Sequence, residues 1–381
     1  MGGNMKVLYV GHIKENSGWS QASIDLILAL DSVGVDVVPR TIKLNNANPV
    51  LPKRILELEA KSSRGCDVNI QHILPHMMDY NGRFKKNIAM FIAETYNLFY
   101  TWWPARLNLM DEIWVPNTDM LNITCPNSGI TKPVHLVPHA TDISKYSKEY
   151  PKFQFPEGMD YRYKFYFIGE NVRRKHLMTA LIAYYTNFTR NDNVVFVIKT
   201  NRSGQHPAQC MNDVMGQIKE LKKAMGMYKD ENQYPPECVI TEFLSEEQLY
   251  SIHQQCDTFL MPSFGEAWSI PAFDAMGFGK EVVSSACGGM KDFLRGYNKS
   301  HSRRGHLING SFEPVVAHEQ MFENMHNSFD TWYNISISEF GKCMRNCYDS
   351  MSIYSSLDNP NNVNNYSYET VGNRMKELIN A

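Results

Sequence analysis

Residues 262–283 read Pro262-Ser-Phe-Gly-Glu266-Ala-Trp268-Ser-Ile-Pro271-Ala-Phe-Asp274-Ala-Met-Gly-Phe-Gly279-Lys-Glu-Val282-Val283. An apolar run at 258–261 leads in, and Val282-Val283 begins another on the way out. Between them come a loop and a helix-like segment at 271–278. Proline opens that segment and Gly279 lies just past it, the asymmetry that helix ends favour. The stretch therefore reads strand, loop, helix, strand, with Glu266 in the loop and Asp274 on the helix. In a parallel α/β sheet the loop after a strand's carboxyl end is where ligands bind. Two carboxylates there, eight residues apart, suit the hydroxyl groups of a polar ligand. The same spacing also fits a capped surface helix, and spacing alone leaves both readings open.

A second candidate lies upstream. A strand at 165–168 runs into Gly169-Glu170-Asn-Val-Arg173-Arg174-Lys175, which precedes a helix at 176–185. Cations at a helix N-terminus oppose its dipole, so three together point to an anion they meet, such as a diphosphate. The alternative is a solvated charge run. Alternation continues with a strand at 194–198, a helix at 211–225 and a strand at 238–240. Ser245 then caps a helix running to 254, with Glu247 or Gln248 near the capping-box position. Residues 285–289 read as a flexible loop, and 367–379 as a terminal helix.

The first half alternates in the same way. Apolar, β-rich runs at 6–10, 35–38, 66–73, 88–93, 111–116 and 134–138 predict six strands, the second stopped by Pro39. Gly18 sits near the start of a helix covering 22–30, in a turn able to present N–H groups to an anion, although it is not Gly-x-Gly-x-x-Gly. His72 falls at the end of the third strand, and Glu94-Thr95 ends the fourth. Pro75 separates His72 from His76, which argues against a metal pair on one helix. Residues 143–163 read as a linker. The fold class is thus α/β, with two Rossmann-like, doubly wound domains at 1–150 and 160–355 and a linker and closing helix at 356–381.

The chain has 381 residues, 43% hydrophobic and 20% charged, an ordinary globular balance. A formal net charge of −2 gives no general field for nucleic acid, although Arg303-Arg304, Arg202 and Lys85-Lys86 leave room for a local basic groove. Eight cysteines without a Cys-x-x-Cys pair make metal and redox roles weak and favour a reducing compartment. No run approaches a membrane span and no leader is evident, so a cytoplasmic protein is expected, with peripheral membrane contact left open.

Together these motifs resemble the family-four retaining glycosyltransferases of GT-B fold. Pro262-Ser263, Glu266, Pro271, Asp274-Ala-Met and Val282-Val283 follow that family's Pro-Ser…Glu-Gly-Phe-Gly-Leu-Pro…Glu-Ala-Met…Pro-Val-Val signature, and Gly288-Gly289 matches its glycine pair. Lys175 matches the lysine of its diphosphate loop. Val137-Pro-His-Ala-Thr-Asp142, Glu94-Thr95, Ile113-Trp-Val-Pro116 and Tyr366-Ser-Tyr368 match further, looser elements. The resemblance implies a domain pair facing a cleft, with the last helix crossing back to the first domain.

It also implies roles. Glu266 would hold donor-sugar hydroxyls and Asp274 the ribose. Amides near Trp268, Ser269 and Ile270 would meet sugar and phosphate, while Lys175, Arg174 and Arg173 face the diphosphate. His72 and Glu94 would line the acceptor side, and Gly18 would let the first loop approach the phosphates. A UDP- or GDP-linked sugar would be donor to an acceptor hydroxyl on a glycan, lipid or other molecule, with no metal or other cofactor. This chain departs from the pattern at five places. Asp274 replaces a longer Glu, Glu170 stands where the family has arginine, Ala267 and Ser269 replace glycines, and Lys280-Glu281 replaces the usual residue-Pro. The departures at Glu170 and Asp274 keep open a weak nucleotide-sugar-binding protein, and the basic residues Arg303-Arg304, Arg202 and Lys85-Lys86 keep open a DNA-base-modifying transferase, since some transferases of this fold act on DNA bases.

Overall fold

The computed structural model describes residues 5–47, 49–295, 298–299, 302–315, 329–350 and 361–381. The chain divides into two compact units. The first comprises Met1–Lys145, Pro314–Thr331 and Asn361–Ala381; the second comprises Tyr146–Glu313 and Trp332–Pro360.

The first unit is built on six parallel strands: β1 (Lys6–Gly11), β2 (Asp36–Thr41), β3 (Val68–His72), β4 (Lys86–Met90), β5 (Glu112–Val115) and β6 (Val134–Leu136). Their order is β2-β1-β3-β4-β5-β6. Helix α1 (Gly18–Ser32) joins the first two, with Ser17 as its cap accepting from the Ser20 N–H at 3.2 Å. One face of the sheet buries Val7, Tyr9, Ile70, Ile88 and Trp114 against Ile27 and Leu30 of α1. The other buries Ala89, Phe91, Trp103 and Ile113. Each such fully buried large side chain contributes about 1.5–3 kcal/mol.

Pro39 does not stop β2. It pairs opposite Tyr9, and the strand continues to Thr41. Because β2 is the sheet's edge, the missing proline N–H costs no ladder bond. Strand β4 ends at Met90 rather than at Glu94, although Phe91 still donates to the Trp114 carbonyl at 2.8 Å.

The main sheet of the second unit is made of β7 (Tyr163–Glu170), β8 (Val194–Asn201), β9 (Glu237–Ile240), β10 (Thr258–Met261), β11 (Glu281–Ser285) and β12 (Gly305–Ile308). They form a parallel sheet in the order β12-β11-β10-β7-β8-β9. The switch in direction falls between β7 and β10, so the loops following these two strands open beside each other at the sheet's carboxyl edge. The helices are α2 (Leu177–Asn187), α3 (Pro207–Met225), α4 (Glu246–Gln255), α5 (Ile270–Gly277), α6 (Gly288–Leu294) and α7 (Ile337–Asp349). Ser245 and Gln248 complete a capping box on α4.

The last helix, α8 (Tyr368–Asn380), belongs to the first unit and packs on α1. The Tyr368 hydroxyl donates to Asp25 at 2.6 Å, and Lys376 Nζ donates to the Val33 carbonyl at 2.7 Å. Gly372 is required there, because a Cβ would lie 2.2 Å from the Ala29 carbonyl oxygen. No helix among the described residues is long and apolar enough to cross a membrane.

Candidate active site

The loop that follows β10 and the loop that follows β7 are stitched together. Phe264 donates its N–H to the Arg174 carbonyl at 2.9 Å, and the Ser263 hydroxyl reaches the same oxygen at 3.0 Å. Glu266 lies at the centre of the junction, 5% exposed. Lys175 Nζ donates to its two oxygens at 2.7 and 2.9 Å, Arg174 Nη1 donates at 2.9 Å, and the Ser263 hydroxyl donates at 2.8 Å. Burial would raise the Glu266 carboxyl, but the charges of Lys175 and Arg174 outweigh it and hold the group below its ordinary value. The result is an ionised, nearly water-free carboxylate with all its partners cationic or hydroxylic. Arg174 and Lys175 thus bring two cations against the one carboxylate, and Arg173, beside them in the chain, is exposed.

The cationic run is a single tight turn, Arg173–Lys175, and it ends at His176 in the left-handed region, φ 53°. The His176 ring stacks on Phe264 at 3.9 Å, and Phe264 stacks in turn on Trp332 at 5.1 Å. Burial and then the Arg173 charge push His176 down to about 4, so the stack is uncharged at neutral pH.

Residues 285–289 are not a flexible loop. Cys287 precedes α6, whose first residue, Gly288, has φ +54° and lies so close to the Glu266 carbonyl that a Cβ would come within 1.7 Å of the oxygen. At Gly289 the same atom would meet Trp268 Cα at 2.7 Å. The glycine pair is therefore what allows the 266–268 backbone to sit where it does. Trp268 itself is buried against Phe273 and Phe293, leaving backbone rather than indole to meet any ligand.

Ser269, standing where the resemblance expects glycine, keeps a glycine-like backbone at φ 69°, ψ 74° and leads directly into Ile270, the first residue of α5. That conformation costs a non-glycine residue on the order of 1–2 kcal/mol. Its hydroxyl is buried with no hydrogen-bond partner among the described residues. Asp274 is 6% exposed, and its Oδ1 accepts from the Tyr146 hydroxyl at 2.7 Å. Gly277 makes room for that tyrosine, since a Cβ there would lie 2.4 Å from the ring. Sequence reading missed Tyr146, which sits in what looked like linker. Glu170 is committed to the neighbouring turn, accepting from the Ser203 N–H at 2.8 Å.

Gly18, His72 and Glu94 belong to the first unit. Gly18 opens α1 and is exposed, as is Glu94. His72 ends β3 fully buried, its Nδ1 at 2.8 Å from the Tyr9 hydroxyl and 3.1 Å from that of Ser23. With the hydroxyls as donors, the proton sits on Nε2, a buried atom with no partner among the described residues. Burial holds this histidine down at about 3, and hence neutral. Of the basic residues considered for nucleic acid, Lys85 pairs with Asp67 at 2.8 Å, Lys86 donates to the Leu378 carbonyl at 2.9 Å, and Arg304 is buried against the Gly279 carbonyl.

Residues 162–311 match the family described as glycosyl transferases group 1. No curated protein matches the chain in sequence. Among solved structures, it is similar to sucrose-phosphate synthase from Thermosynechococcus elongatus, with a TM-score of 0.63 at 12% identity over 99% of this chain and 98% of that one. HepE of Anabaena, solved in complex with UDP-glucose, gives 0.62 at 12% identity over 99% of both chains. OtsA gives 0.61 at 10% identity, again over 99% of both. The chain thus has the GT-B fold, and residues 162–311, which lie within its second unit, are similar to the group 1 glycosyl transferases.

Proposed function

We propose that this protein is a retaining glycosyltransferase that moves a sugar from a nucleoside-diphosphate sugar to an acceptor hydroxyl. The observation that carries the proposal is the Glu266 cluster: a buried, ionised carboxylate held by Arg174, Lys175 and Ser263 at the carboxyl ends of β7 and β10. Such a carboxylate accepts from sugar hydroxyls, while the neighbouring cations meet the diphosphate. As the sugar C1–O bond to phosphate breaks, negative charge grows on the leaving diphosphate, and fixed cations stabilise it without reorganising. The new C1–O bond forms on the same face, and the departing phosphate oxygen takes the acceptor's proton. Arg174 and Lys175 thus supply the charge that a divalent metal would otherwise bring. UDP is the favoured nucleotide, because HepE, which shares the fold, was solved with UDP-glucose. His72 and Glu94 are assigned to the acceptor side.

The test is nucleoside-diphosphate release from UDP- and GDP-sugars, with chelator present and absent. Glu266→Ala and Lys175→Ala should each lower release at least 100-fold, and chelator should leave it unchanged. Release equal to the parent in both variants would overturn the site. One observation favours a second reading, a binding protein with weak turnover: the Asp274 oxygen expected to meet ribose is bonded to Tyr146. Nucleotide binding without any product would support that reading.

A further inference from the structure

The eight cysteines looked scattered in sequence, yet two of them meet a histidine in the second unit. Cys343 and Cys347 lie four residues apart on α7, which places both thiols on one face of the helix. That face packs over β11 and β12. His306, on β12, projects to the same point, and its ring nitrogen and the two sulfurs lie within 4.8 Å of one another. On the far side of the ring, Nε2 is 2.7 Å from Oε2 of Glu281, the first residue of β11. This leaves Nδ1 to face the sulfurs. Glu281 opens its strand, so the cluster lies at the opposite end of the sheet from Glu266.

We propose that His306, Cys343 and Cys347 form a binding site for one zinc-class divalent ion, with Glu281 orienting the histidine. Two thiolates and an imidazole are the ligands such ions take, at roughly 2.3 Å for sulfur and 2.0 Å for nitrogen. Those lengths put ligand atoms roughly 3.5–3.8 Å apart, close enough to the observed spread that small side-chain rotations close the site. A carboxylate on the outer nitrogen of a metal-bound histidine is a recurrent second-layer contact that fixes tautomer and ring orientation. His306 and Glu281 remain 20% and 22% exposed, which gives an ion and a completing water a way in. An ion there would tie α7 to the edge strand β12.

The test uses the full chain, reduced and stripped with chelator, then titrated with Co2+ alone and with Zn2+ in competition. The expected result is one Co2+ per chain, with thiolate-to-cobalt charge-transfer absorption that Zn2+ abolishes. The absorption should vanish in the Cys343→Ser/Cys347→Ser double variant and in His306→Gln, each checked for folding by circular dichroism. Glu281→Gln should weaken affinity about 10–100-fold while keeping the spectrum. Bound Zn2+ should also shield Cys343 and Cys347, and none of the other six cysteines, from alkylation mapped by mass spectrometry. That measurement needs no variant. No charge-transfer band in the reduced parent protein, or shielding of other thiols, overturns the proposal. So does a Cys343–Cys347 disulfide whose reduction restores no metal uptake.

Discussion

Replacing Gly288 by alanine tests whether the glycine pair sets the position of Glu266. Two costs can be separated. The first is conformational: at φ +54° an alanine carries a left-handed penalty of about 1–2 kcal/mol. The second is steric. The new Cβ would lie 1.7 Å from the Glu266 carbonyl oxygen, whereas real Cβ contacts essentially never fall under 3.0 Å, so the loop must retreat by about 1.3 Å. Overpacking of this kind costs about 1–3 kcal/mol, which brings the total to roughly 2–5 kcal/mol. A shift of about 1 Å in a reacting group can cost about 100-fold in rate, so donor turnover should fall by that order. Gly226→Ala is the control. Gly226 has φ +59° with nothing within 4 Å of the added atom, so it pays only the conformational part. Urea unfolding of both variants and nucleoside-diphosphate release give the comparison. If Gly288→Ala unfolds at the same urea concentration as Gly226→Ala and turns over donor like the parent, the packing argument is wrong.

Lys175→Met leaves Glu266 with one cation in a buried site and should cost about 3–5 kcal/mol in urea unfolding; a loss under 1 kcal/mol would mean that the pair is solvated. Acid should act in the same place. The folded-state value for Glu266 lies below the unfolded one, so its contribution is complete above the unfolded value of about 4.3 and is lost as pH falls through the folded value. Stability curves of Glu266→Gln should therefore be flatter in that window. His72 moves the other way in charge but in the same direction with pH: its folded value of about 3 lies below the unfolded 6.5, so the unfolded chain takes up the extra proton and stability falls as pH drops from 6.5 to 3. His72→Gln should lose part of that slope, and an unchanged slope would assign it to other groups. Tyr146→Phe removes the hydroxyl that Asp274 accepts from and should cost about 1.5–3 kcal/mol by urea unfolding; no change would show that water replaces it.

The two-unit α/β plan was readable because parallel strands buried on both faces appear as short continuous apolar runs, as at 163–170 and 258–261. Caps were readable too: Ser245 and Gln248 satisfy N–H groups locally, so their signature lies within four residues. Glu266 and Lys175 stood out because each falls just after such a run. What escaped depended on distance along the chain. Tyr146 reaches Asp274 from 128 residues away, and nothing around Tyr146 announces it. His306 meets Cys343 only because β12 joins the sheet under α7. Pro39 misled for a different reason: whether proline ends a strand depends on which neighbour lacks a partner, and edge position is a property of the whole sheet. At residues 288–289 a glycine pair was taken for flexibility, whereas here it marks a place too crowded for any side chain.

The helix that closes the first unit lies far downstream of the surface it covers, and this matters while the chain is being made. Tyr368 meets Asp25 across 343 residues of sequence. At about 5–20 residues per second, the ribosome exposes the α1 surface for roughly 20–70 s before α8 emerges to cover it. During that time Ala29, Val33 and their neighbours present a greasy face to every nascent chain and chaperone nearby. A product cut short after the second unit would keep that face uncovered for good. A single patch on α1 thus reports whether synthesis has passed α8.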